Sequence, residues 1–330
     1  MPATIADVAR AAGVSRATVS YVLNANSGQS ISEPTRKLVL DAAARLSYTP
    51  NHVARNLRRG RSDAVLCPLP GLQLTHPVAT LVEACAAALE RHGLFLVPDF
   101  SRHDDPGEQL AAMRRLAPAA VLDVLLRPDD SVLAALRAAG IPVLSTRLAT
   151  QQKWESAADA YGRHLRLTQL EYLLACGHRR IITAMPRTFG ADSRTAQTSI
   201  SDARRLVHGA GGRLIVERID LDPLALRAAV ASWTNSGLPE AVAAYNDDYA
   251  IAVMAALREH DVTVPRDVAV MGIDDNPLGA VHTPTLTTIH SDFSDLAVAL
   301  ADAAVATLSG VRSVETLPVP RQTVIQRESA

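Results

Sequence analysis

Apolar side chains in the first fifty residues recur at three- and four-residue spacing, the period that lines up one face of an α-helix. Ile5, Val8, Ala9 and Ala12 form one such stripe behind the capping-box pattern Thr4-Ile5-Ala6-Asp7, and Gly13 ends it. Ser15 is placed to cap a second helix with Val19, Val22 and Leu23 inward. That arrangement turns Ala17, Ser20, Tyr21 and Asn24 to the opposite face, with Arg16 at its edge. After a polar, Gly-containing stretch (24–30), Ser32 is placed to cap a third helix, with Glu33-Pro34 in its first turn and Leu38, Ala42 and Leu46 expected inward. Three short helices around one small core are therefore predicted.

From Asp63 the pattern changes. Short apolar runs at 64–67, 94–97, 121–126, 141–144, 181–184, 213–216, 241–245, 268–272 and 287–289 alternate with helical stretches such as 78–92 and 165–176, and a last strand-like run covers 323–327. Continuous apolar strands separated by helices mean parallel sheets covered on both faces. The expected class is α/β: an all-α headpiece followed by two doubly wound lobes.

Length and composition agree with several compact units. A chain of 330 residues exceeds the usual size of one hydrophobic core, and 48% hydrophobic content is enough to fill two or three. No uninterrupted apolar run approaches the length of a membrane span, and no signal-peptide layout opens the chain, so a cytoplasmic protein with no membrane association is expected. Cys67, Cys85 and Cys176 are widely spaced and carry no CxxC or Cys/His pattern, so neither metal nor redox work is expected of them.

The net charge of −1 conceals an asymmetry. Residues 1–62 hold nine Lys/Arg against Asp7, Glu33 and Asp41, a net of +6, which leaves −7 for the rest. A small basic module fused to a larger acidic one fits a polyanionic partner for the first. Two helices joined by a Gly-Val turn, the second exposing small polar groups with an Arg and a Tyr, fit a DNA major groove. Arg16 can donate two hydrogen bonds to guanine, Ala17 can touch a thymine methyl, and Tyr21 can reach a base edge or phosphate. The competing reading is a three-helix bundle with a solvated polar face.

Residues 4–24 (TIADVARAAGVSRATVSYVLN), followed by Tyr48-Thr49-Pro50-Asn51 and Val53-Ala54-Arg55-Asn56-Leu57, resemble the signature of the lac repressor/galactose repressor family of bacterial transcriptional regulators. The resemblance implies a hinge helix that starts at Pro50-Asn51, forms on operator DNA and wedges a leucine, here Leu57, into the minor groove. The residues suit that role. Asn51 can cap a turn carrying Val53, Ala54 and Leu57 on one side, yet about eight residues are too few to stay helical alone. Arg55, Arg58, Arg59 and Arg61 would lie near phosphates. The expected DNA-contacting set is Thr4, Ser15, Arg16, Ala17, Thr18, Ser20, Tyr21, Asn24, Tyr48, Asn51, His52, Arg55 and Leu57.

The resemblance continues at Gly177-His178-Arg179-Arg180-Ile181, Tyr245-Asn246-Asp247-Asp248, Val270-Met271-Gly272-Ile273-Asp274-Asp275 and Leu286-Thr287-Thr288-Ile289. It implies a core like the periplasmic sugar-binding proteins, two lobes crossed by three strands with a small-molecule effector between them. The expected division is a DNA-binding domain at 1–50, a hinge at 51–62 and a core at 63–330. Within the core, lobe 1 takes about 63–156 and 291–318, and lobe 2 about 157–290 and 319–330. Ligands of open parallel sheets sit beyond the strands' carboxyl ends, where Asn246, Asp247 and Asp274 fall, although Asn and Asp there also cap helices. His76 and Phe293 match family positions that line the cleft. Two departures stand out. Arg147 replaces an acid of the family, and the family's sugar-anchoring Arg has only Arg194 as its nearest counterpart, displaced by about a turn. An extra Arg favours a carboxylate or phosphate on the ligand, unless Arg147 pairs with Asp123, Asp159 or another acid. The expected effector residues are His76, Arg147, Arg194, Asn246, Asp274 and Phe293, for a sugar or related metabolite.

The motifs of hydrolases, P-loop enzymes and zinc proteases are absent, and Gly209-Ala210-Gly211-Gly212 reads as a helix stop. The chain is thus expected to be no enzyme, and to need no catalytic residue, metal or cofactor. What is expected instead is a homodimeric repressor on a palindromic operator, with no leucine-heptad tail for tetramers. Induction and corepression remain equally open.

Overall fold

The computed structural model describes residues 3–23, 31–48, 61–69, 75–103, 105–123, 130–145, 157–187, 194–311 and 317–330. It divides into two compact units, residues 1–62 and 63–330.

In the first unit, α1 (Ile5–Ala12), α2 (Arg16–Leu23) and α3 (Glu33–Arg45) enclose a core of Val8, Ala9, Val19, Val22, Val39, Ala42 and Ala43. Gly13 ends α1 at φ 67°, a left-handed conformation that a Cβ would strain. The third helix is turned differently from expectation. Val39 is fully buried, whereas Leu38 is 55% exposed and Leu46 also faces solvent. Stripes through Leu38 and through Val39 share Ala42, so periodicity does not choose between them. The small Ala42-Ala43 pair lets α1 approach closely, and β-branched Val39 fits beside Val8, Val19 and Val22. Ser32 stands at the N-cap but its hydroxyl meets Thr35 Oγ1 at 2.8 Å instead of a backbone N–H.

The second unit holds two four-stranded parallel sheets. The first has the order β2-β1-β3-β4, from Ala64–Pro68 (β1), Phe95–Asp99 (β2), Ala120–Asp123 (β3) and Val143–Ser145 (β4). Its helices are α4 (His76–Glu90), α5 (Pro106–Arg115) and α6 (Asp130–Ala138). Val65, Ala120 and Leu122 meet Leu81, Cys85 and Leu89 of α4 on one face, while Leu66 and Val121 meet Met113, Val132 and Leu136 on the other. Both faces are buried, which is why these strands read as unbroken apolar runs.

The second sheet has the order β6-β5-β7-β8, from Arg180–Met185 (β5), Arg213–Arg218 (β6), Ala241–Ala244 (β7) and Ala269–Met271 (β8). One face packs on α9 (Pro223–Ser236) and α10 (Asp247–Glu259), and the other on α7 (Ala157–Ala175) and α8 (Arg194–Gly209). After the short α11 (Pro277–Val281), the antiparallel pair β9 (Thr288–Asp292) and β10 (Arg321–Ile325) joins the lobes. Ile289 lies in the second core, whereas Phe293 and α12 (Ser294–Leu308) belong to the first. Only these two crossing strands fall among the described residues; 146–156, where a third is expected, lies outside them. No helix of the described residues is long and apolar enough to cross a membrane.

Val39→Ala should destabilise the headpiece by about 1–2 kcal/mol and Leu38→Ala by under about 0.5. Hydrogen exchange at the α1 and α2 amides reads this; equal costs would mean that α3 is turned as its Leu38 stripe suggested.

Candidate nucleic-acid interface and ligand site

The outer face of α2 begins with Ser15, Arg16 and Ala17, all exposed, while Thr18, Ser20 and Tyr21 are half-buried. Ser15 Oγ accepts the Thr18 N–H at 3.1 Å and meets Thr18 Oγ1 at 2.9 Å, so the helix start is fixed by its own side chains. The Thr4 N–H and hydroxyl both donate to Asp7, at 3.0 and 2.6 Å. These bonds hold the Asp7 carboxyl below its usual range. Thr4 therefore works first as a helix cap. The Tyr48 N–H donates to Ala43 O at 2.9 Å, and its ring packs against the three-helix core. Asn24, Asn51, His52, Arg55 and Leu57 lie outside the described residues.

In the larger unit, polar groups gather at the carboxyl ends of β7 and β8. Asn246, 8% exposed, caps α10 by accepting the Tyr249 N–H at 3.1 Å. Asp247 is 1% exposed and accepts from Thr288 Oγ1 at 2.6 Å and from the Asn276 N–H at 2.7 Å, while its own N–H donates to Ile273 O at 2.9 Å. It clamps rather than caps. The space it uses exists because residue 272 is glycine: a Cβ there would fall 2.0 Å from Asp247 Oδ1. Burial pushes the Asp247 carboxyl up to about 7.

Asp274 and Asp275 both have positive φ, 113° and 51°, a strained conformation for residues with a Cβ. The loop is pinned on several sides. The Asp274 N–H donates to Ile289 O at 3.0 Å, the Asp275 N–H to Thr288 Oγ1 at 3.2 Å, and Arg327 Nη2 to Asp275 Oδ1 at 2.7 Å. Asp275 Oδ2 also lies 3.2 Å from His290 Nδ1. The Asp274 carboxyl is pushed up to about 8 by burial first, then by the charges of Asp247 and Asp248. Its field also raises the phenols of Tyr161 and Tyr245, for which burial is the larger cause.

Tyr161 connects the cluster to the crossing strand. Its hydroxyl donates to Ser291 Oγ, and its ring lies 5.9 Å from that of Phe293. On the same helix, Gln169 Nε2 donates to the carbonyls of Ala244, Met271 and Gly272 at 3.0, 2.8 and 3.2 Å. Arg166, 4% exposed, donates from Nε to Ser199 Oγ on α8 at 3.3 Å.

Of the expected effector residues, Asn246, Asp274 and Phe293 are thus brought together around Tyr161 and Tyr245. His76 is exposed at the start of α4, with no described contact to that cluster. Arg194 is the first residue of α8, but its side chain, like Arg147 as a whole, lies outside the described residues. Tyr161, Arg166, Gln169, Ser199 and Ser291 escaped notice. A signal existed for two of them: Arg166 and Gln169 fall on the inward stripe of α7 with Leu165, Leu170 and Leu173, and polar residues in an apolar stripe are costly unless used. None of the groups described is a cluster suited to a metal ion.

The profile described as "Bacterial regulatory proteins, lacI family" matches residues 4–51, and that of a periplasmic binding protein-like domain matches 170–330. The lactose operon repressor of Escherichia coli is 30% identical over 308 residues, covering 88% of this chain and 81% of that protein. The chain belongs to the lacI family of bacterial regulatory proteins. The regulator GalR of Escherichia coli is 29% identical over 350 residues, with 99% of this chain and 95% of that one covered. Among solved structures, a lac repressor dimer bound to operator and an anti-inducer matches with a TM-score of 0.74 at 25% identity, covering 100% of this chain and 99% of that chain. A CelR–cellobiose complex matches at 0.63 and 25%, covering 99% and 100%. The relatives are regulators of transcription rather than enzymes, and the lacI-family member described here shares their architecture of helix-turn-helix and binding-protein-like core.

The two raised carboxyls give stability a direction with pH. A buried acid that stays protonated to pH 7–8 in the fold but ionises near pH 4 when unfolded leaves the native state holding more protons between those values, so stability falls as pH rises through that window. Asp274→Asn should flatten the decline of melting temperature between pH 5 and 9; slopes equal to wild type would show that Asp274 titrates normally.

Proposed function

We propose that this lacI-family regulator is a homodimeric repressor that reads a palindromic operator with two copies of α2 and releases or tightens its hold when a sugar or related metabolite binds between the lobes. The observation that carries the reading is the exposed first turn of α2, Ser15-Arg16-Ala17, on a module of charge +6. A helix N-terminus with small side chains and one Arg enters the major groove without steric conflict and offers a fork for guanine. The hinge residues Asn51 to Leu57, with His52 and Arg55, would add minor-groove contact in the same complex. The Asn246, Asp274 and Phe293 cluster supplies hydroxyl partners and an aromatic face, which suits a polyol.

An exposed apolar face supports the dimer. Leu221 and Leu224, at the start of α9, and Leu278 and Val281, on α11, are all more than half exposed. The start of α10 joins their neighbours: Tyr249 Oη donates to Ile219 O at 3.3 Å and Asn276 Nδ2 to Asp248 Oδ1 at 3.2 Å. A second copy covering this face would remove several leucine-sized surfaces from water. A repressor of this kind works where the chromosome is, in the bacterial cytoplasm.

Arg16→Ala should relax base preference at one position per half-site and cost about 1–3 kcal/mol on the preferred operator, measured by selection from a randomised site; uniform weakening on all sequences would reduce Arg16 to a phosphate contact. Leu224→Asp should shift the sedimentation coefficient from dimer toward monomer, and an unchanged dimer would place the interface elsewhere.

A further inference from the structure

The outer edge formed by β6 differs from the other sheet edges. Edge strands expose unpaired backbone groups and are ordinarily blunted by shortness, by proline or by a covering segment. β2 carries Pro98 where an N–H would point off the sheet, and the described part of β4 is three residues long. β8 is also three residues long, and its outward Val270 N–H donates to Ser329 O at 2.8 Å. Among the described residues, β6 has none of these guards. All of it pairs with β5, from Arg213 beside Arg180 to Arg218 beside Met185, and its centre is Leu214-Ile215-Val216. The Arg213 N–H donates to Arg179 O and the Ile219 N–H to Met185 O, so the odd-numbered residues turn their backbone groups toward β5. The N–H and C=O of Leu214 and Val216 therefore point outward. Their side chains lie toward α8, and that of Ile215 toward α9 and α10. A groove of about 570 Å³ follows the edge on the α8 side, lined by Gln197, Ile200, Ser201, Arg204, Val216 and Arg218.

We infer that β6 is a docking edge for β6 of a second copy of this chain, so that two dimers join through a sheet continuous across both copies. The strand is complementary to itself when two copies run antiparallel about a two-fold axis at Ile215. Leu214 then faces Val216 of the second copy as a hydrogen-bonded pair, which uses the outward backbone groups of both. Ile215 meets its own counterpart. Arg213 faces Glu217 of the second copy, opposite charges in direct register, and the axis repeats the pair. Within one chain neither Arg213 nor Glu217 forms an ion pair among the described residues. The groove beside α8 receives Leu214 and Val216 of the second copy. A foreign strand would have to supply its own match to Arg213 and Glu217, whereas a second copy already carries it. The dimer face proposed above uses the starts of α9 and α11, and the β6 edge adds a second contact to it.

The test is sedimentation velocity on the full-length protein over a concentration series, at low salt, where exposed ion pairs are least screened. Wild type is compared with Arg213→Glu, Glu217→Arg, the double reversal, Val216→Pro and Leu224→Asp. Wild-type dimers should associate further as concentration rises. Each single reversal sets like charges face to face and should weaken that step by about tenfold, while the double reversal restores it. Val216→Pro removes an outward N–H without touching the β5 ladder, so it should abolish the step and leave the dimer. If that variant does not fold, the charge reversals still decide. Leu224→Asp should give monomers at low concentration and β6-joined pairs at high concentration. If the dimer itself responds to the reversals, β6 is the dimer contact: the inference stands and the Leu224 face is displaced. A chain that stays dimeric at every concentration overturns the inference and leaves the edge to a strand of another protein. Further association that ignores Val216→Pro, or that the double reversal does not restore, overturns it as well.

Discussion

One buried carboxylate holds the carboxyl end of the second sheet together. Asp247 takes hydrogen bonds from the β9 residue Thr288 and from the Asn276 backbone, and fills the space that Gly272 leaves open. Three segments far apart in sequence, the start of α10, the loop after β8 and the strand that crosses to the other lobe, meet on its two oxygens. Without it the loop carrying Asp274 and Asp275 would lose one of the several restraints that keep two non-glycine residues at positive φ.

That junction also reaches the strand that joins the lobes. The crossing strand β9 is tied to lobe 2 through Thr288 and Ile289 and leads directly to Ser291 and Phe293, which touch Tyr161 and the core of lobe 1. A ligand resting against Asp274, Tyr161 and Phe293 would touch both lobes at the strand that joins them. Any difference in its affinity for two lobe arrangements becomes a shift between them. The strained loop, the buried acids and the crossing strand are thus joined in one network of contacts.

Much of this was legible from residue order. Alternating short apolar runs and helices are a consequence of strands buried on both faces, and Val65 against Leu66 shows the two faces filled separately. The headpiece was legible because caps and turn glycines act within a few residues, as Thr4 with Asp7 and Ser15 with Thr18 show. The rotation of α3 was not, since Leu38 and Val39 are equally apolar and only the shape left by α1 and α2 selects one.

The amino-acid sequence by itself determined the classes of element, the basic headpiece and the acidic core, because hydrophobic period, capping and charge are local properties. Tertiary structure alone decided which polar side chains meet at the strand ends. Arg166 and Ser199 are separated by 33 residues, and Asp247 and Thr288 by 41, so no local rule brings them together. Asn246 and Asp247 stand side by side in the chain, yet one caps a helix and the other clamps three segments. What separates them is the direction in which each side chain leaves the strand end, and that is set by the sheet and helices packed around it.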